Sequence, residues 1–363
     1  MNNILRSEEK AIFALRTLYQ QYGYMPFKMS KFEEYEFYIQ NKDFLVSDRI
    51  ISFNDTNGKL LALKPDVTLS IIKNGEDKPG EKQKVCYNEN VYRVSDNTHQ
   101  FKEIMQTGIE CIGEIDLYDL YEMVMLASKS LSLISNNFVI EISHLGLISA
   151  LLENSCQNSN FKQEALKYIA EKNSHDLISI FDRYEIADEK RDSILKLISV
   201  YGERKSVIAE IEPSLKGVAD ESLAELKALS DMLDALPFSE KILFDFSTVN
   251  DTNYYNGIVF RGFISGISQS VLTGGQYDNL LKKMKRSSGA VGFAIYLDLL
   301  DEMPTDRAEY DVDVVIIYDQ NTDKRRLAEM AEKTVGENKT VSVQSGDSAN
   351  IRCKQIIDLR KEG

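Results

Sequence analysis

Cysteine is scarce in this 363-residue chain, with only Cys86, Cys111, Cys156 and Cys353, and no two of them stand at C-x-x-C spacing. That pattern excludes a disulfide framework or a cysteine-based zinc site, and the four read as buried thiols in a reducing compartment. Cations are in short supply as well: 43 Lys and Arg face 57 Asp and Glu, a net charge of -14. An acidic surface is a poor match for nucleic acid, whose phosphates require a basic one, so proteins or small molecules are the expected partners. No apolar run reaches the ~20 residues of a bilayer-spanning helix and no secretory signal opens the chain, so a cytoplasmic protein without membrane contact is expected. Neither a metal nor a cofactor is expected. The length allows one large domain and a small one.

What is present is a set of polar residues in places that a core should fill. Over QTGIECIGE, alternation puts Gln106, Gly108 and Glu110 on one face of a strand and Met105, Thr107, Ile109 and Cys111 on the other. An amide, a gap and a carboxylate make either the floor of a small-molecule pocket or the wet face of an edge strand. Asp66, at the opening of a helix, suits exposed backbone N–H groups, and a simple cap is its plainest role. Arg93 offers a planar fork for a carboxylate or phosphate. In YYNGIVFRGF, alternation puts Tyr255, Gly257 and Val259 on one face and Tyr254, Asn256 and Ile258 on the other, so only one tyrosine of the pair should face a pocket. Gly274-Gly275 permits close backbone approach or a bulge. His99 reads as a surface loop residue, and His144 as a structural residue at a strand-to-helix joint.

Periodicity predicts an amphipathic helix over 7–22, stopped by Gly23, and a strand near 25–29. A hairpin is expected over 48–63 around Asn57-Gly58, with positive φ favoured there. A long helix over 119–133 precedes the strand and joint at FVIEISHLG. Four helices, FKQEALKYIAEK, HDLISIFDRY, DEKRDSILKLISVYG and ESLAELKALSDMLDAL, fill an insertion over about 150–237. After a linker at 302–309, the C-terminal residues read as strand, helix, strand.

Five segments carry a resemblance. NVYRVSDNTHQFKEIMQTGIECIG resembles motif 2 of the class II aminoacyl-tRNA synthetases in its histidyl form. LALKPDVTLSIIKN is similar to that family's L-R-P-(E/D)-x-T segment, NYYNGIVFRGF to its histidine-specific tyrosine segment, TGGQYDNLL to its G-G-R-Y-D-x-L segment, and GAVGFAIYLDLL to motif 3. All five stand in family order. The resemblance implies an α+β fold, an antiparallel sheet flanked by helices over 1–305, followed by a small, truncated α/β piece over 306–363. It implies that the ammonium of histidine meets Asp66, Thr68 and Gln106, that its carboxylate meets Arg93, and that its imidazole lies among Glu110, Tyr255 and Tyr277 beside Gly274 and Gly275. The first helix and strand resemble motif 1, the dimer interface of the family, although Ser30 stands where the usual proline would fall.

Two departures bear on function. The arginine that the family carries just before its tyrosine pair aligns with Asn250, and the motif 3 arginine that follows an acid aligns with Leu299, after Asp298. Adenylate formation builds negative charge on the α-phosphoryl group, and fixed cations usually stabilise it. A histidine pocket without its activating cations is similar to one group, the ATP phosphoribosyltransferase regulatory subunits. That resemblance implies a non-catalytic chain that activates a short-form catalytic subunit in the first step of histidine biosynthesis and senses L-histidine for feedback inhibition, as a dimer within a hetero-oligomer. Two other readings stand beside it: a divergent histidyl-tRNA synthetase and a stand-alone histidine sensor.

Overall fold

The computed structural model describes residues 7–45, 49–78, 80–95, 98–249, 254–302, 309–346 and 351–361. Two compact units divide the chain, Met1–Met303 and Pro304–Gly363. Most of the expected linker, 303–308, lies outside the described residues.

The large unit is built on a nine-stranded sheet. Across it the strands run Met25–Pro26, Gln83–Val94, Phe101–Gly113, Gly289–Tyr296, Leu272–Gln276, Ile258–Ile264, Phe138–His144, Ile242–Asp245 and Tyr201–Glu203. All neighbours are antiparallel except Met25–Pro26 with Gln83–Val94 and Ile242–Asp245 with Phe138–His144, which are parallel. Strand alternation decides what each face carries. Ile109 and Cys111, with Phe260 and Phe293, join the main core under the helices Ser7–Gln21 and Leu117–Ile134. Val85, Tyr87 and Ile112, on the opposite face, join a second core with Val67, Leu69 and Ile71 around the helix Thr68–Asn74. Neither face of the motif 2 hairpin is therefore the wet face of an edge strand: Gln106 and Glu110 are buried just as Ile109 and Cys111 are.

Local signals behave as their chemistry dictates. Leu15 and Tyr19, four apart on the first helix, are fully buried, and Gly23 ends the helix at φ +81°. The strand after it covers only two of the five expected residues. The hairpin pairs Ser52–Asn54 with Leu60–Leu63 and gains Phe32–Glu34 as a third strand. Gly58 alone takes positive φ there, while the Asp55 carboxylate accepts the Asn57 and Lys59 N–H groups at 2.8 Å each.

The insertion holds five helices instead of four. Arg204–Leu215 was not expected, because Pro213 breaks its pattern and its apolar residues are interleaved with charge. Its first residue anchors it: buried Arg204 donates to the carbonyls of Ser239 and Ile242 and pairs with Asp234 at 2.7 Å. In the small unit, Val312–Tyr318 lies between Val341–Ser345 and Cys353–Asp358, all parallel, with the helix Lys324–Gly336 on a core of Val314, Ile316, Leu327 and Leu359. Its third strand was not expected. Cys86 and Cys111 are buried thiols; Cys156 and Cys353, contrary to the expectation, are only half-buried.

Candidate functional site

Register assembles the site row by row across the sheet. Glu110 stands opposite Gly292, Gly292 opposite Gly275, and Gly275 opposite Val259. In the next row Tyr87, Gly108, Ala294, Thr273 and Arg261 follow one another. Beside Glu110 the floor thus carries no side chain, and the space is needed. A methyl group on Gly292 would stand 1.6 Å from a Glu110 carboxylate oxygen, and one on Gly275 would stand 2.8 Å from the Tyr255 ring. Gly274 faces the other way, toward Phe293 and Phe260, where a methyl group would be 2.5 Å and 2.6 Å from their carbons. Gly108 leaves room for a neighbour of its own, since a methyl group there would lie 2.6 Å from the Tyr87 hydroxyl.

Above this floor lies a cavity of about 260 Å³ lined by Asp66, Thr68, Arg93, Gln106, Glu110, Tyr255, Gly274 and Tyr277. Gly275, the remaining expected site residue, is not part of the lining and acts by leaving room for Tyr255. The volume is a little under the ~300 Å³ at which drug-sized pockets begin, a size suited to an amino acid.

Glu110 is the electrostatic centre. Only 2% exposed, it accepts the Thr68 hydroxyl at 2.7 Å on one oxygen and the Tyr277 hydroxyl on the other. Among the described residues it has no cationic partner. Burial pushes its carboxyl up to about 8; the two hydroxyl donors oppose that rise and the charge of Asp66 adds to it. Burial likewise raises Tyr277, Tyr87 and Tyr254 well above the usual phenol range, and Glu110 adds to each. Burial thus favours the protonated acid and the neutral phenols over their charged forms across this floor.

Asp66 fills the capping role and also stands in the cavity wall. Its carboxylate accepts the Leu69 N–H at 2.8 Å at the start of Thr68–Asn74, and it also lines the cavity. Burial raises its carboxyl, against the Leu69 N–H and the charge of Arg93. Arg93 donates Nε to the Pro65 carbonyl at 3.1 Å, which ties the Gln83–Val94 strand to the turn that holds Asp66.

The tyrosine pair requires a correction. The Ile258–Ile264 strand begins after both rings, so alternation does not govern them, and Tyr254 lines the cavity together with Tyr255. Their ring centroids are 4.8 Å apart, and Tyr254 stands 5.5 Å from Tyr277. Asp278 fixes this loop by accepting from Asn256 at 3.1 Å, Gln276 at 2.8 Å and the Ala290 N–H at 3.0 Å.

Leu299 sits in the short 3-10 segment Leu297–Glu302 and packs against the main core, with Asp298 exposed beside it. Asn250 lies outside the described residues. His99, at φ +54°, bonds Arg49 at 2.6 Å away from the cavity, and buried His144 accepts the Gly146 N–H at 3.1 Å while its other nitrogen meets Glu225 at 3.0 Å. Sequence reasoning missed Tyr87, Thr273, Tyr296 and Arg261 in the lining. Arg261 was within reach, since it continues the same-face series of Gly257 and Val259. No described helix is long and apolar enough to cross a membrane.

Comparison with known proteins agrees with this architecture. The family profile described as histidyl-tRNA synthetase matches residues 4–300. An ATP phosphoribosyltransferase regulatory subunit of Oceanobacillus iheyensis is 27% identical over 351 residues, covering 94% of this chain and 86% of that one. The crystal structure of an ATP phosphoribosyltransferase regulatory subunit/histidyl-tRNA synthetase from Bacillus halodurans aligns with a TM-score of 0.80 at 22% identity, over 99% of this chain and 97% of that one. The ATP phosphoribosyl transferase (HisG:HisZ) complex from Thermotoga maritima contributes a chain that aligns with a TM-score of 0.62 at 20% identity, over 80% of this chain and 97% of that one. With most of its length matched by one profile, and with that family's motif segments drawn together around one cavity, the chain belongs to the histidyl-tRNA synthetase family.

Proposed function

We propose that this chain is a non-catalytic, cytoplasmic regulatory subunit of ATP phosphoribosyltransferase, which activates a short-form catalytic subunit and binds L-histidine as its feedback effector. The observation that carries the reading is the pairing of an intact amino-acid-sized cavity with an apolar Leu299 where an activating cation is expected. The regulatory-subunit names of relatives that span most of the chain support it. In this reading the ammonium of histidine lies against Asp66, Thr68 and Gln106, its carboxylate toward Arg93, and its imidazole among Glu110, Tyr255 and Tyr277. An acid held neutral by burial suits an imidazole, because the proton can stand on either partner without a net charge entering the core. Regulation then requires only that histidine bind two arrangements of the hetero-oligomer unequally.

The test is phosphoribosyl-ATP formation by a short-form catalytic subunit, with and without this chain, each with and without L-histidine. Activation that histidine reverses supports the reading. No effect in either condition sinks it. The retained Arg93, Gln106 and Glu110 also fit a divergent histidyl-tRNA synthetase, and histidine-dependent ATP–pyrophosphate exchange by the purified chain would favour that alternative.

A further inference from the structure

The cavity contains a second arginine that the histidine placement does not use. Arg261 lies on the strand Ile258–Ile264, three strands across the sheet from Gly108, whereas Arg93 stands near the end of the first long strand, six residues beyond Tyr87. The two guanidinium groups therefore enter one cavity from different walls. Among the described residues neither forms an ion pair: Arg93 spends one N–H on the Pro65 carbonyl, and Glu141, opposite Arg261 on the neighbouring strand, feels its charge without closing on it. Next to Arg261 in register is Thr273, whose hydroxyl shares a hydrogen bond of 3.0 Å with the Tyr296 hydroxyl. A half-buried guanidinium beside two hydroxyls, facing a cavity, has the donor set that an oxyanion requires.

We infer that Arg261, with Thr273 and Tyr296, forms an oxyanion subsite of this cavity, distinct from the Arg93 end. The inference rests on the amino-acid reading of the cavity. Two sources share this chemistry: a free inorganic oxyanion bound beside the amino acid, and the carboxylate of the amino acid itself, turned to Arg261 in place of the Arg93 contact proposed above. The bidentate fork makes Arg261 a specificity residue in either case, because a ligand without an oxyanion leaves the guanidinium desolvated and unanswered.

Titration calorimetry on the full chain separates the outcomes. The wild type, Arg261→Gln and Arg261→Lys would each be titrated with L-histidine and with histamine, which lacks the carboxylate, in phosphate-free buffer and with added inorganic phosphate. If the carboxylate is the source, Arg261→Gln weakens L-histidine about tenfold or more, leaves histamine within about twofold, and Arg261→Lys recovers part of the loss. If a free oxyanion is the source, phosphate tightens both ligands on the wild type and neither on Arg261→Gln. Overturning the inference takes an Arg261→Gln chain whose affinities and phosphate response all match the wild type within about twofold. A wild type that binds no L-histidine refutes the amino-acid reading instead, and direct titration with phosphate, wild type against Arg261→Gln, then decides the subsite alone.

Discussion

Glu110 sets the pH behaviour of the site. Its carboxyl is raised from an ordinary 4.5 to about 8 by burial, so the unfolded chain releases this proton first. Between those values the folded chain holds the extra proton, and stability falls as pH rises; below the window the effect is absent, and above it the loss is complete. Urea unfolding at about pH 5 and about pH 8 should therefore show the wild type losing stability relative to Glu110→Gln on going up in pH, and equal slopes for the two chains would contradict the burial of this acid. Gly292 is tied to the same group. Gly292→Ala forces its methyl group into the Glu110 carboxyl, with an expected destabilisation of about 1–3 kcal/mol by thermal melt and loss of L-histidine binding by calorimetry. That Gln106, Gly108 and Glu110 share one face was legible from strand alternation, because their parity opposes that of Ile109 and Cys111; whether that face was buried or wet was not, because alternation is the same in both cases. Tyr254 was not, since the rule that excluded it applies to extended strand and both tyrosines precede one.

At the scale of elements, the long helix expected over 119–133 starts earlier, at Leu117, because a cap that the periodicity did not record begins it. Asp116 accepts the Tyr118 and Asp119 N–H groups at 2.8 Å and 3.2 Å, and the Asp119 carboxylate returns a bond to the Asp116 N–H at 2.8 Å, a complete capping box for Leu117–Ile134. Asp116→Ala should cost about 1 kcal/mol in chemical denaturation while leaving L-histidine affinity unchanged, because the box caps a helix on the far face of the sheet. A shift in affinity would mean that this helix and the cavity are coupled. The helix Arg204–Leu215 escaped the sequence reading for a physical reason. Its stability comes from tertiary bonds of Arg204 to Ser239, Ile242 and Asp234, more than 25 residues away, which local periodicity does not record.

For the whole molecule, the cavity-lining residues all fall within one compact unit, Met1–Met303, and the second unit has a core of its own. A chain ending at residue 302 should therefore bind L-histidine with the affinity of the full chain, measured by calorimetry, and a loss would assign the small unit a part in the site. The order of the five motif segments made the architecture of the large unit legible. The third strand of the small unit, Cys353–Asp358, was not, because its exposed pattern resembles a loop until Val312–Tyr318 supplies a parallel partner.

The strand Phe101–Gly113 presents Glu110 to the cavity and, one residue away on either side, Ile109 and Cys111 to the main core. A ligand gripped by that carboxyl therefore fastens a beam that also supports the helices beneath. Opening the backbone at Glu110 means opening it through the core, so a bound ligand should slow amide hydrogen exchange along the paired strands Phe101–Gly113 and Gly289–Tyr296 together instead of at the cavity wall alone. Occupancy of the cavity would then be visible from the opposite side of the sheet.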